Sequence, residues 1–316
     1  MVSDATGTTL QDLVRLVAGE LGSVTEARWI VAHAAGIASD DLVGRLSEHA
    51  APSVEDALGV LMRRRSAGEP LQYVLGTWAF RTIEITVDPR VLVPRPETEQ
   101  VVGVALEELA VQASTPLVGD EVIVVDLGTG SGAIALALAA EGRATVGSTR
   151  RSNGGPRGSP RLEVWATDCS PAALDVARSN LADLEQRMPS MAGIVRFAGG
   201  TWFDALPQDL VGHIHLAVSN PPYVSAREWE GLDSVVQRFE PKDALVAGPR
   251  GTEALEALLD GARSWLAPGG SVVLELAPHQ ADRMVRLASA FGYEDPQVRA
   301  DLASRPRTLV ARRPRA

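Results

Sequence analysis

The sequence predicts an α/β protein in which a doubly wound parallel sheet follows a small helical bundle and a β-hairpin connector. Apolar residues recur at helical spacing through the first part of the chain, and the stretch from Tyr73 to Val93 changes to period two. The remainder alternates buried strands with helices, which is typical of a parallel sheet covered on both faces. We therefore expect a helical domain at 1–72, a connector at 73–96 and an α/β domain at 97–316.

Three helices are predicted in the N-terminal domain. The first has apolar residues at helical spacing from Leu10 to Leu21, and the second has them from Ala27 to Ala34. The third is expected to begin after Ser53, whose side chain can cap it and which precedes two acidic residues. Helices of this length with one apolar stripe need neighbours to cover them, so a small bundle is expected.

The connector is predicted from alternation and from turn residues. Ile83, Ile85 and Val87 lie on one face of an extended chain, and Asp88 with Pro89 marks a turn. These features indicate a hairpin. A helix is expected to follow it at 97–111.

The α/β domain is expected to begin with the strand 121–126, an apolar run that ends in an acid and suits a strand buried on both faces. Residues 143–161 contain five arginines, no acid and many Gly, Ser and Pro residues, which predicts a surface loop insertion. The other strands are expected at 163–168, 194–198, 214–219 and 271–276, with a closing edge strand at 308–311, and the helices at 131–140, 171–187, 253–266 and 279–291.

The composition narrows the class of function. Thirty basic and forty acidic residues give a net charge of −10, which disfavours binding of a long phosphate backbone. The single cysteine, Cys169, fits a reducing compartment. No apolar run is long enough to span a membrane, and residues 1–11 lack the pattern of a secretion signal. These features together predict a cytoplasmic protein. The histidines are scattered without ligand spacing, so we expect no metal site.

The first candidate site is a glycine-rich turn after the strand 121–126. Its glycines allow a sharp turn and let a ligand approach the backbone closely. Ala133 stands where a dinucleotide fingerprint has its last glycine, so the turn favours a ligand without a pyrophosphate, such as S-adenosylmethionine. The alternative is a purely structural turn. The residues concerned are Gly128, Thr129, Gly130, Ser131 and Gly132.

Asp168 is the second candidate, at the end of the next strand. A carboxylate at this place is suited to accept hydrogen bonds from both hydroxyls of a ribose. The alternative is a helix cap, because Ser170 and Pro171 open a helix immediately afterwards.

The third candidate decides the reaction class. Asn220, Pro221, Pro222 and Tyr223 follow the strand 214–219, at the sheet edge where open α/β sheets bind ligands. Prolines leave backbone carbonyls free as acceptors, and the Asn220 side chain adds another. Such acceptors can hold both hydrogens of a planar –NH₂ group and stabilise the charge that develops on nitrogen during an in-line methyl transfer. Tyr223 would supply an aromatic wall. The alternative is an ordinary turn.

Together these motifs resemble those of the peptide-chain release factor glutamine N5-methyltransferases, the HemK/PrmC family. The resemblance covers nearly all of the chain and includes 68–76, 93–99, 126–132, 220–223 and 239–241. It implies a Rossmann-like class I S-adenosylmethionine-dependent methyltransferase domain, joined to an N-terminal helical domain that helps to recognise the substrate.

The resemblance also implies a reaction: methyl transfer to the side-chain amide nitrogen of the glutamine in the Gly-Gly-Gln motif of bacterial class I release factors, which act in translation termination. After the transfer, S-adenosylmethionine would be left as S-adenosylhomocysteine. It implies that 128–132, Asp168 and Asn220 hold the cofactor, that Trp202 packs on the adenine, and that 220–223 hold the glutamine amide. Without the resemblance, Trp202 would be a core aromatic. Thr201 replaces the aspartate usual in the family.

Two other classes of function remain as alternatives. An adenine-N6 nucleic-acid methyltransferase faces the same –NH₂ problem with a similar pocket, but the net charge and the small helical domain disfavour it. A regulatory module that binds the cofactor without catalysis is disfavoured because both motifs are intact. We therefore expect release factors as partners, with neither direct nucleic-acid binding nor membrane binding.

Overall fold

The computed structural model describes residues 7–114, 121–149 and 161–315. The chain divides into two compact units, Met1–Thr77 and Trp78–Ala316. Within the described ranges, no helix is long and apolar enough to cross a membrane.

The three helices predicted for the N-terminal part are confirmed. The hydroxyl of Thr9 caps the first by accepting a hydrogen bond from the N–H of Asp12, and Ser23 caps the second. The third begins at Pro52, so Ser53 lies inside the helix and is not its cap. Proline suits the first helical position because it lacks the N–H that a first turn leaves unpaired. The described part of this unit contains α1 (Leu10–Leu21), α2 (Val24–Ala34), α3 (Pro52–Ser66) and α4 (Leu71–Leu75).

The start of the connector predicted at 73–96 is corrected by α4. This short helix ends at Gly76, which adopts the left-handed conformation with φ 75°. Five residues are too few to show a helical period, so the sequence pattern did not reveal it. The hairpin follows as β1 (Thr77–Phe80) and β2 (Ile83–Thr86), and alternate side chains of β2 are buried, as period two predicts.

A seven-stranded sheet forms the centre of the second unit, with strand order β10-β11-β9-β6-β3-β4-β5. Its strands are β3 (Glu121–Leu127), β4 (Arg161–Asp168), β5 (Val195–Gly199), β6 (Ile214–Ser219), β9 (Leu266–Glu275), β10 (Glu294–Ala300) and β11 (Pro306–Arg312), and β7 (Val224–Ser225) pairs separately with β8 (Val246–Gly248). The helices are α5 (Pro96–Ala113), α6 (Ala133–Thr149), α7 (Pro171–Arg187), α8 (Ala226–Trp229), α9 (Ser234–Phe239), α10 (Glu253–Trp265) and α11 (Ala281–Ala290).

The sheet is mixed, which corrects the expectation of a wholly parallel one. Strands β5, β4, β3, β6 and β9 are parallel to one another, whereas β11 runs antiparallel to both β9 and β10. The strand expected at the edge at 308–311 therefore lies inside the sheet, and β10 is the edge. The sequence of β10 has no apolar run or alternation, because an exposed edge strand buries few side chains.

The position of the site follows from the strand order. β3 has β4 on one side and β6 on the other, so the chain leaves β3 and β6 in diverging directions and opens a crevice at their carboxyl ends. On one face of the sheet, Ile123 and Val125 lie in an apolar cluster with Leu255 and Leu258 of α10. This packing holds the strand ends that bear the motifs.

The loop insertion expected at 143–161 is corrected at both of its ends. Residues 143–149 continue α6, and Arg161 already belongs to β4. Val146 is buried and the Arg143 guanidinium donates to the Ser190 carbonyl, contacts that favour helix over the loop-like composition. Residues 150–160 lie outside the described residues.

Candidate active site

A cavity of about 480 Å³ lies in the second unit at the carboxyl ends of the sheet strands, within the size range of small-molecule sites. It brings together eight predicted site residues: Gly128, Thr129, Gly130, Ser131, Asp168, Trp202, Asn220 and Pro222. Gly132, Pro221 and Tyr223 are not among its lining residues. Its other lining residues are Arg90, Val91, Leu92, Pro94, Thr98, Ala133, Ile134, Cys169, Ser170, Ala173, Gly200, Thr201, Pro241, Asp243 and Ala244.

The glycines of the turn after β3 have different structural roles. Gly130 has φ 55°, and a Cβ placed there would meet nothing within 4 Å, so a ligand can approach this backbone. A Cβ on Gly132 would lie 3.0 Å from Leu136 Cδ1 and 3.2 Å from Ala177 Cβ. Gly130 therefore leaves room at the cavity, whereas Gly132 permits close packing of α6 and α7.

Asp126, at the end of β3, supports this turn from below. Its Oδ2 accepts hydrogen bonds from Thr129 Oγ1 at 2.6 Å and from the N–H of Ala135 at 3.1 Å. Oδ1 is buried without a hydrogen-bond partner in the described part of the chain. Burial raises the pKa of Asp126 to about 7, and the Asp168 carboxylate also raises it. The acid at the end of an apolar run was the sequence signal for this role.

Asp168 fixes the glycine turn and does not cap the next helix. Its Oδ2 accepts from the N–H of Gly130 and its Oδ1 from the N–H of Ser170, both at 2.9 Å. The cap of α7 is Ser170, whose hydroxyl accepts from the N–H of Ala173. Because each carboxylate oxygen can accept two hydrogen bonds, Asp168 keeps acceptor capacity at the cavity that it lines.

Trp202 is partly buried: it packs against the apolar core and also lines the cavity. Its backbone has φ 48°, a strained conformation for a large side chain. A Cβ on Gly128 would lie 3.2 Å from Trp202 Cζ3, so the glycine permits the indole to lie against the turn. The ring also packs against the apolar cluster that contains Phe203. Thr201, the departure from the family pattern, lines the same cavity.

Asn220 is held by a hydrogen bond to the start of α5. Its Nδ2 donates to Thr98 Oγ1 at 3.1 Å, and Thr98 Oγ1 donates to Glu275 Oε2 at 2.7 Å. With Nδ2 engaged, Oδ1 is the acceptor that Asn220 can offer to a ligand. Sequence reasoning missed Thr98 and Glu275 as site residues, because they are 177 positions apart in the chain.

Glu275 is buried at the end of β9 and accepts a second hydrogen bond, from Tyr223 Oη at 3.3 Å. Burial raises the pKa of Glu275 to about 7, against the lowering effect of Thr98 and Arg307. Burial and the nearby Glu275 also raise the pKa of Tyr223. The signal that could have found Glu275 is the same as for Asp126: an acid that ends an apolar strand.

Tyr223 is not among the lining residues of the cavity, and its role as an aromatic wall stays a prediction. Its ring packs against the apolar cluster beneath the sheet edge, and its carbonyl accepts a hydrogen bond from Gln280 Nε2 at 2.9 Å. Pro222 is the residue of this motif that lines the cavity beside Asn220.

Among the residues described, no group of three or more His, Cys, Asp or Glu side chains could hold a metal ion.

Three features define a class I methyltransferase: a parallel sheet in which β11, next to the edge strand, runs antiparallel, the glycine turn after β3, and the Asn-Pro-Pro-Tyr segment after β6. Residues 17–76 match the family model of the PrmC N-terminal domain. The release factor glutamine methyltransferase of Burkholderia pseudomallei is 38% identical, and the match covers 92% of this chain and 92% of that protein. The release factor glutamine methyltransferase of Moorella thermoacetica is 37% identical, and the match covers 91% of this chain and 90% of that protein. The chain therefore belongs to the release factor glutamine methyltransferase family.

Among solved structures, the release factor-specific protein-(glutamine-N5) methyltransferase of Alicyclobacillus acidocaldarius is 24% identical, with a TM-score of 0.37. The alignment covers 72% of this chain and 98% of that chain.

Proposed function

We propose that the protein transfers a methyl group from S-adenosylmethionine to the side-chain amide nitrogen of the glutamine in the Gly-Gly-Gln motif of bacterial class I release factors. The observation that carries this proposal is the orientation of Asn220 at the cavity. Its Nδ2 is bound to Thr98, which leaves the carboxamide oxygen to accept from a substrate N–H. Membership of the family favours a release factor as the source of that amide.

The cavity fits the cofactor by its chemistry. The open space beside Gly130 gives a nucleoside access to the turn, and Asp168 has acceptor capacity for ribose hydroxyls. The indole of Trp202 offers a face for the adenine, and Asn220 lies at the junction with the substrate. When bound, the cofactor supplies an electrophilic methyl group on a sulfonium.

An amide nitrogen is a poor nucleophile because its lone pair is delocalised. The Asn220 oxygen and a neighbouring proline carbonyl would hold the two N–H bonds, which points the nitrogen along one line of attack. As the N–C bond forms, the bond between the methyl carbon and the sulfonium sulfur would break, which would leave neutral S-adenosylhomocysteine and positive charge on the nitrogen. The fixed acceptors would stabilise this charge without reorganisation. The extra N–H proton would pass to water after the bond has formed, so Asn220 orients the amide and need not act as a base.

Tyr223 and Pro221 act indirectly in this proposal. The backbone of the segment is fixed because Gln280 holds the Tyr223 carbonyl and Glu275 accepts from the Tyr223 hydroxyl. These two hydrogen bonds would hold the acceptors of the segment in place for the substrate. We also propose that the protein works in the cytoplasm, where release factors act, and binds no nucleic acid directly.

The proposal is tested by incubating the protein with labelled S-adenosylmethionine, a purified release factor and duplex DNA together. A release factor with Gly-Gly-Ala in place of Gly-Gly-Gln is the matched control substrate. We expect label on the glutamine-bearing factor alone. Label on DNA with none on the factor would favour adenine methylation, and label on both factors would place the modified residue elsewhere.

A further inference from the structure

We propose that Thr98 and Glu275 are positioning residues for methyl transfer, because they fix which end of the Asn220 carboxamide faces the substrate. The inference rests on the proposed function. It concerns two residues on elements that bear neither the glycine turn nor the Asn-Pro-Pro-Tyr segment. Thr98 lies in the first turn of α5, and Glu275 ends β9.

The need for such residues follows from the symmetry of an amide side chain. Turning the Asn220 carboxamide by 180° exchanges a donor and an acceptor at nearly the same place. With Oδ1 at the substrate, the site accepts from an –NH₂ group. With Nδ2 there, two N–H groups would face each other and substrate binding would fail. A productive site therefore requires a group that binds only one end of the amide.

Thr98 alone cannot make this choice, because a hydroxyl can donate or accept. Glu275 makes it: an ionised carboxylate only accepts, so the Thr98 hydroxyl hydrogen points to Oε2 at 2.7 Å. The Thr98 oxygen then has only lone pairs left for Asn220, and the partner at 3.1 Å must be Nδ2. The buried carboxylate thus sets the direction of both hydrogen bonds.

Glu275 also holds the other end of the segment. Its Oε1 accepts from the Tyr223 hydroxyl, so a single side chain is connected to the first and last residues of 220–223. At 1% exposure Glu275 has no bulk water to replace these donors. Loss of the carboxylate would therefore release both Asn220 and Tyr223 from their fixed orientations.

The charged groups around Glu275 lie on β11 and on α5, the helix that also bears Thr98. Arg307 of β11 lowers the pKa of Glu275 and Glu97 of α5 raises it, while burial, the largest effect, brings it to about 7. Below that pH the protonated carboxyl can donate to Thr98, and the direction of the hydrogen bonds is no longer fixed. Activity should consequently fall as the pH drops through about 7.

The first test compares Thr98→Val, which keeps the side-chain shape without the hydroxyl, with Thr98→Ser, which keeps the hydroxyl. Methylation of a release factor is followed at saturating cofactor, with cofactor Kd and melting temperature measured in parallel. We expect kcat to fall about tenfold or more in Thr98→Val, in line with the loss of a preorganised polar contact. Thr98→Ser should stay within about threefold of wild type, and cofactor Kd should change less than twofold in both.

The second test is the pH profile of Glu275→Gln, which remains informative should Thr98→Val not fold. Wild-type kcat should rise with pH to a plateau with a midpoint near 7, and Glu275→Gln should lose that rise and give a lower, flat profile. An unaltered rise in Glu275→Gln, or equal kcat for Thr98→Val and Thr98→Ser, overturns the positioning role while an active wild type keeps the proposed function. A wild-type protein that leaves the release factor unmethylated contradicts both.

Discussion

The carboxylate of Asp168 accepts a hydrogen bond from the backbone N–H of Gly130 at 2.9 Å, which ties the end of β4 to the glycine turn after β3. The two candidate cofactor elements are therefore one structural unit. A change at Asp168 alters the shape of the turn as well as the acceptors that face the cavity.

Replacement of Asp168 should weaken cofactor binding. Asp168→Ala removes its bonds to the turn and those proposed to the ribose, and two lost hydrogen bonds amount to roughly 1–3 kcal/mol, or about five- to 150-fold in Kd. Calorimetric titration with S-adenosylhomocysteine measures this. Asp175→Ala, on the exposed side of α7, removes the same charge and should bind as wild type does. Equal Kd values for the two variants would contradict the role of Asp168.

Gly128 should tolerate a methyl group less well than a glycine of the same conformation elsewhere. Gly128 has φ 78° and a Cβ there would lie 3.2 Å from Trp202, whereas Gly212 has φ 76° and nothing within 4 Å. Gly212→Ala should cost only backbone strain, about 1 kcal/mol in the free energy of unfolding. Gly128→Ala should cost more, because it displaces the indole.

The same pair of variants separates folding from binding. Urea denaturation gives the free energy of unfolding, and titration with cofactor gives Kd. We expect weaker cofactor binding in Gly128→Ala alone. Were both variants to bind and unfold alike, the contact between Gly128 and Trp202 would have no part in the site.

The ion pair between Arg95 and Glu240 should stabilise the cavity wall. Arg95 Nη2 lies 2.6 Å from Glu240 Oε1, and the Glu240 side chain is only 3% exposed. Pro94 and Pro241, each next in the chain to one partner, both line the cavity. Glu240→Ala removes the partner of Arg95 and also the acceptor of the buried Val93 N–H, so it should lower the free energy of unfolding by about 2 kcal/mol.

The exposed ion pair of Arg263 with Asp260 provides the control for this prediction. Its atoms are 2.9 Å apart, but the two side chains are 51% and 64% exposed. Asp260→Ala should change the free energy of unfolding by less than about 1 kcal/mol. Comparable losses in Glu240→Ala and Asp260→Ala would show that burial does not strengthen the first pair.

The sequence predicted most elements because burial leaves a period in the chain. Strands buried on both faces, such as β3 and β6, read as continuous apolar runs, and the amphipathic helices repeat every three to four residues. The edge strand β10 buries too little to leave a pattern. The helix α4 is too short to show one. The short elements β7, β8, α8 and α9 were not predicted either, because two to six residues cannot show a period.

The candidate site was predicted as motifs but not as a network. The residues of 128–132 and 220–223 are adjacent in the chain, so their patterns can be recognised locally. Thr98 and Glu275 join Asn220 only because α5 and β9 meet beside β6. Tyr223 has a contact that the motif did not reveal, since its side chain packs against the apolar cluster that contains Phe203. Side-chain direction depends on neighbours that the motif does not contain.

Asp126 should make the protein less stable as the pH rises from about 4 to about 7. Its pKa is about 7 when folded, against an ordinary value of 3.8. Between these values the folded state holds a proton that the unfolded state has lost, so stability falls with increasing pH, by at most about 1.4 kcal/mol per unit. Asp126→Asn keeps the shape of the neutral side chain and removes this dependence.

The free energy of unfolding of Asp126→Asn relative to wild type should therefore rise between about pH 4 and pH 7 and level off above. Urea denaturation at several pH values measures it, and taking the difference cancels the similar dependence expected from Glu275. Asp260→Asn, at an exposed aspartate, should give a constant difference. A constant difference for Asp126→Asn as well would mean that Asp126 is ionised throughout, with its buried Oδ1 compensated by a partner such as water.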